Sequence, residues 1–182
     1  MTPEQNRAII ERHHDRLNAG DIATALTDFA EDTRNHGRPV GREGVHRVLS
    51  DIYETFPDYR LDILDIIAVE DSVVARVKNT GTHRGTGRVP VQGGIFFGVQ
   101  PTGKHFEVQH MHWYKLRDGK IVEHYASRDD VGEMQQLGML PPPPQGATPP
   151  STRRRTAAFT LLCPGPNLEQ RRTPCAVMNN PG

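Results

Sequence analysis

An α+β domain is the fold class that the sequence predicts, and three observations predict it. Apolar residues recur at helical spacing from Ala8 to Phe56. From Tyr59 the period changes to two, as in strands that bury one face. Further on, Asp118-Gly119 separates two patterned runs, a hairpin signal because glycine takes the positive φ such turns demand. Helices first and strands afterwards make an α+β order.

The elements follow in turn. Thr2-Pro3-Glu4-Gln5 reads as a helix start, with threonine as cap, proline in the first turn and Gln5 at the capping-box position. Ala8, Ile9, Arg12, His13, Arg16 and Leu17 carry that helix to Gly20. Asp21 caps a second helix through Ile22, Ala25, Leu26 and Phe29, ending near Glu31-Asp32. A third helix begins after Gly41-Arg42-Glu43-Gly44, carries Val45, Val48, Leu49, Ile52 and Phe56, and stops at Pro57. Tyr59 to Ile66 and Val73 to Val77 alternate as strands, and Asn79 to Gly81 and Gly85 to Gly87 break the pattern. Gly94 to Val99 forms a bent approach to the last hairpin, Phe106 to Leu116 and Lys120 to Ser127. Asp129-Asp130, then Val131, Met134, Leu137 and Leu140, suggest a short closing helix stopped by Pro141. The early helices are the candidates to cover the inner face of a curled antiparallel sheet, leaving its open end as a cavity.

Residues 1–140 therefore make one domain, and residues 141–182 a proline- and arginine-rich tail of extended or disordered composition. The Phe159 to Leu162 patch there is too short for a core. Basic and acidic residues balance at 22 each, which points away from a nucleic-acid partner. Cys163 and Cys175 form no zinc signature, and a reduced state is expected of them. No run is apolar enough for a membrane span, and the N-terminus lacks a secretion pattern, so a cytoplasmic protein is expected.

The hairpin concentrates the chemistry. With a loop from Arg117 to Gly119 and a glycine bulge, Leu116 faces Lys120 and His112 faces His124. His110, His112, His124 and Ala126 then share one sheet face. A row of imidazoles is costly unless solvated, hydrogen-bonded or used. Such a trio resembles a three-histidine metal cluster, but no carboxylate stands at a firm ligand position, so no metal is expected. Gly85 and Gly87, or Gly93-Gly94, lack the strand-to-helix context of a phosphate loop. Trp113 and Tyr114 face opposite sides, one toward the core and the other toward a pocket or an interface.

Arg117-Asp118-Gly119-Lys120-Ile121-Val122-Glu123-His124-Tyr125, continued by Asp129 and Gln136-Leu137-Gly138, resembles the SnoaL-like polyketide cyclase (ester cyclase) family of the NTF2-like superfamily. Phe56-Pro57-Asp58-Tyr59, Gly41-Arg42-Glu43-Gly44 and Gly81-Thr82-His83 extend the resemblance over most of residues 5–140. It implies a cone, with a strongly curved antiparallel or mixed sheet packed against N-terminal helices, and a homodimer formed through the sheet. It also implies intramolecular aldol ring closure without metal or organic cofactor, a carboxylate and a histidine acting as acid and base. The resemblance places that histidine at His112. The family's aspartate follows an aromatic residue in the last strand, whereas here Tyr125 is followed by Ala126, which carries no proton.

The expected enzyme thus closes a ring on a small hydrophobic carbonyl compound, using His112 or His124 as base. His110 assists, and Asp129 orients a histidine. Asn35 and His36 lie where the family brings a loop to the cavity mouth, and a plain surface loop is the other reading of His36. Tyr53, Phe56, Phe97 and Tyr114 supply lining. Two alternatives stay open because of Ala126: a non-catalytic small-molecule-binding protein, or a related hydroxylase or dehydratase. His13-His14 reads as surface and core edge.

Overall fold

Helix α1 (Pro3–Asn18) starts at the expected cap: Thr2 Oγ1 accepts from Gln5 N–H, and Gln5 Oε1 accepts from Thr2 N–H. This is a computed structural model, and it describes residues 1–90 and 95–141. Expectations for residues 91–94 and 142–182, among them Gly93-Gly94, the tail, Cys163, Cys175 and the Phe159 to Leu162 patch, lie outside the described residues. The buried face of α1 carries Asn6, Ile9, Ile10, His13, His14 and Leu17, so both histidines point inward rather than to the surface.

Asp21 caps α2 (Ile22–Leu26) by accepting from Thr24 N–H. The helix stops five residues short of the expected end at Glu31, for a tertiary reason. Asp28 turns into the interior, where Arg16 donates to both its carboxylate oxygens at 2.7 and 2.9 Å and His13 Nδ1 stands 3.2 Å away. The chain then extends as β1 (Phe29–Asn35) and β2 (Arg38–Pro39), joined through His36 and Gly37, both at positive φ. Neither strand was expected, because Glu31-Asp32-Thr33-Arg34-Asn35 has little intrinsic strand preference. Helix α3 (Gly41–Thr55) includes Gly41 to Gly44 as its first turn instead of starting after them.

Four longer strands follow: β3 (Arg60–Val69), β4 (Ser72–Thr82), β5 (His105–Arg117) and β6 (Lys120–Arg128). β4 runs through Asn79 and Gly81, where a break was expected, because Gly81 fits a packing need. A Cβ there would stand 3.1 Å from the Phe106 ring and 3.2 Å from Phe56 Cβ. The six strands form one sheet in the order β2-β1-β6-β5-β4-β3, antiparallel except that β1 runs parallel to β6. α1 packs on β3 and β4, α3 on β1, and α4 (Asp130–Gln136) on β5. The core between them holds Ile10, Val73, Ala75, Phe106, Ile121 and Leu137, all fully buried.

The strongly curved cone is corrected by this topology. The sheet is mixed and open, with β2 and β3 as edges, and it is not strongly curled. Its longest pair, β4 and β5, runs through eleven consecutive partners without a register shift. Curvature needs bulges or kinks at such positions, and this pair has none.

The hairpin register is also corrected. Asp118 (φ 52°) and Gly119 (φ 74°) make a two-residue turn with Arg117 opposite Lys120, and an irregularity follows between Lys115 and Leu116. His112 therefore opposes Ala126, and Tyr114 opposes His124.

Candidate active site

Strand alternation puts His110, His112 and Tyr114 on the inner face of β5, at 2%, 7% and 3% exposure. β6 adds His124 beside Tyr114 and the Ala126 methyl beside His112. Parallel pairing with β6 brings Asn35 opposite His124, and α1 lowers His14 onto the same group.

The hydrogen bonds assign the tautomers. Asn35 Oδ1 can only accept, so His124 donates to it from Nδ1 (3.1 Å) and leaves Nε2 bare. That bare nitrogen accepts from His112 Nδ1 at 2.9 Å. His112 Nε2 then carries a lone pair, and it is buried without a partner. On the other flank, His14 donates from Nδ1 to the Leu61 carbonyl (3.2 Å) and accepts at Nε2 from the Tyr114 hydroxyl (3.0 Å). Tyr114 Oη lies 3.4 Å from His112 Nδ1, a second acceptor for the same proton. His110 has the opposite polarity. Asn79 Nδ2 donates to His110 Nδ1 (3.4 Å), so His110 Nε2 bears the hydrogen, and it too is buried without a partner. The rings of His110 and His112 stack at 5.9 Å, one with a free donor and the other with a free acceptor.

All four imidazoles are held neutral. Burial lowers His112 well below its ordinary value, and the neighbouring His124 and His14 lower it further. Burial lowers His110 to about 4, with Arg128 adding to the effect, and lowers His14 to about 4 with help from His13. His124 is lowered by burial and then by His36.

The remaining expected residues are dispersed. Asp129 is exposed and caps α4, accepting from Gly132 N–H at 2.9 Å, so it orients the helix rather than a histidine. His36 is exposed and accepts from Ala126 N–H at 3.3 Å, its ring 6.4 Å from His124. Tyr53 donates to the Leu17 carbonyl at 2.6 Å. Phe56 is core, packed on Tyr59, His83, Phe96 and Phe106, while Phe97 is largely exposed. Trp113 takes the outer face and stacks on Tyr125 at 5.4 Å.

Sequence reasoning missed His14, Asn79 and Glu133. His14 and Glu133 each sit four residues from a fully buried apolar residue on or capping their helix (Ile10, Leu137), the one signal that could have marked them as inward. Among the described residues, no group of three or more His, Cys, Asp or Glu side chains is arranged to hold a metal ion. An open groove of about 790 Å³ between α1 and β3 has His14, Asn18 and Leu61 in its wall. A second, of about 340 Å³, is bounded by His110, Arg128 and Asp129. No helix among the described residues is long and apolar enough to cross a membrane.

Comparison with known proteins bears on this arrangement. A model of the SnoaL-like polyketide cyclase family matches residues 7–137. AclR, a proposed hydroxylase from Streptomyces galilaeus, superposes with a TM-score of 0.66 at 25% identity, covering 79% of this chain and 87% of its own. IdmH, a proposed polyketide cyclase from Streptomyces antibioticus, gives 0.61 at 32% identity over 74% of this chain and 99% of its own. TsrD from Streptomyces laurentii gives 0.65 at 24% identity, over 77% and 99%. None of the curated proteins matches.

Proposed function

The chain belongs to the SnoaL-like polyketide cyclase family of the NTF2-like superfamily, and on that premise we propose a cofactor-independent ring closure of aldol type, with His112 as general base. The carrying observation is the His112 Nε2 lone pair, buried and unpartnered while Nδ1 is committed to His124. A base so placed takes the proton alpha to a substrate carbonyl. The neighbouring His110 Nε2–H is a donor for the enolate oxygen that develops, in surroundings where such a bond is strong. His124 and Asn35 hold the His112 tautomer, and Tyr114 with His14 steadies the other flank. The substrate is a small hydrophobic carbonyl compound, in keeping with the apolar residues around the imidazoles.

A homodimer through the sheet is part of this reading. Ile67, Val74, Trp113 and Tyr125 form one cross-strand row on the outer face, and Ile67 and Trp113 are 61% and 42% exposed.

One observation favours a second reading, a non-catalytic binding protein: the residue opposite His112 is Ala126, which has no acid. His112→Asn separates the two. Incubated with hydrophobic linear diketones, the variant is expected to lose about 100-fold or more in kcat while binding persists. Unchanged turnover, or no turnover by the wild-type protein, rules out the base and leaves the binding reading.

A further inference from the structure

Ring closure needs a proton donor as well as a base, and Ala126 supplies none. Glu133 is a buried carboxyl that the sequence did not single out. It is 2% exposed, and its Oε2 has no hydrogen-bond partner. Its position follows from the anchors of α4. At the start of the helix, Asp130 pairs with Arg128 at 3.0 Å, and Arg128 is the cross-strand partner of His110. At the end, Gln136 exchanges hydrogen bonds of 2.8 and 2.9 Å with the Glu107 backbone. Glu133 stands three residues from each anchor, on the helix face of the fully buried Leu137, which lays it over β5 between Glu107 and His110. Asn79 is in the same place: it opposes Val108, bonds to His110, and has an unpartnered, buried Oδ1 of its own. Four polar atoms without partners, on Glu133, Asn79, His110 and His112, thus come from α4, β4 and β5 to one side of the sheet. Such atoms are costly to bury unless a ligand completes them.

We propose that Glu133 is a second catalytic residue, the acid that protonates the alkoxide formed at ring closure, in a site that takes a compound bearing two carbonyls. This rests on the reading of His112 as base. His112 Nε2 takes the alpha proton, and the C–H pair becomes the enolate. The enolate carbon attacks the second carbonyl carbon, a C–C bond forms, and the C=O π pair moves onto oxygen. That oxygen takes the Glu133 proton. After release, the proton on His112 passes through solvent to the Glu133 carboxylate, which restores both groups. The environment suits the role: burial raises Glu133 to about 8, Asp130 and Asp129 add to the rise, and Arg128 opposes it. The Tyr59 hydroxyl, buried nearby, is itself raised by burial and then by Glu133.

The test uses the full chain with isotope-labelled glutamate carboxyls and histidine rings, and emodin, a hydroxylated anthraquinone, as the probe. Glu133→Gln assigns the carboxyl signal, and circular dichroism checks that the variants fold. Emodin is expected to move both the Glu133 and His112 signals. Glu133→Leu should weaken emodin binding about tenfold, and Glu133→Gln, which keeps a donor, by about threefold or less. A probe that moves His112 and leaves Glu133 unmoved overturns the Glu133 assignment and spares the base. A probe that moves neither overturns both. Should Glu133→Leu fail to fold, the wild-type spectra still decide.

Discussion

His112 Nδ1 stands 2.9 Å from His124 Nε2, and the proton between them belongs to His112 because the other nitrogen of His124 is committed to Asn35. Removing that acceptor frees His112 to adopt the other tautomer, with its hydrogen where the substrate proton should go. His124→Phe is therefore expected to cut kcat by about tenfold to 100-fold with little change in KM, a positioning effect. Steady-state kinetics check it, and a loss confined to KM would speak against the relay.

Ala126 lies directly across the strands from His112, so Ala126→Asp would place a carboxylate beside the imidazole. An opposite charge favours the protonated ring and works against the burial that now lowers it. The His112 titration should move upward by about one to three pH units, and the acid limb of the activity profile with it. An NMR titration of the ring reads the shift.

Stability should pass through a maximum with pH. His14 and His110 are held near about 4, below the value near 6.5 expected of an unfolded chain. The unfolded state then binds more protons between these limits, and stability is lost as pH falls through that window. Glu133 has the opposite sign. Its folded value of about 8 exceeds the ordinary 4.5, so its contribution is full in acid and is lost as pH rises toward about 8. Urea midpoints should peak at about pH 6.5, and Glu133→Gln should flatten the alkaline side while steepening the rise on the acid side.

Trp113 and Ile67 sit on an outer sheet face that no helix among the described residues covers. If two copies meet there, Trp113→Lys introduces like charges across the seam and should raise the dimer dissociation constant by at least about tenfold. Sedimentation equilibrium reads it, with circular dichroism unchanged. A wild-type protein that remains monomeric at high concentration would remove this interface.

Local chemistry explains what the sequence revealed. Thr2 with Gln5, Asp21 with Thr24, and Asp118-Gly119 each work within a few residues, so caps and turn could be read directly. β1 could not, because its polar residues become a strand only through pairing with β6, some ninety positions away. The hairpin residues were right and the register wrong, since an Asp-Gly turn suits both two- and three-residue loops and the irregularity at Leu116 is a packing matter. In the site, His110, His112 and His124 could be grouped by alternation on paired strands. His14 depended on how α1 crosses the sheet. Glu133 was hidden because glutamate on a short helix near the end of a domain is ordinarily solvent-facing.

The direct test of the base is the tautomer of His112, read from the ring-nitrogen NMR spectrum of the wild-type protein at neutral pH. The hydrogen should reside on Nδ1, with Nε2 bare and the ring uncharged. A hydrogen on Nε2, or an imidazolium, would leave no lone pair at the inner face and would contradict the mechanism.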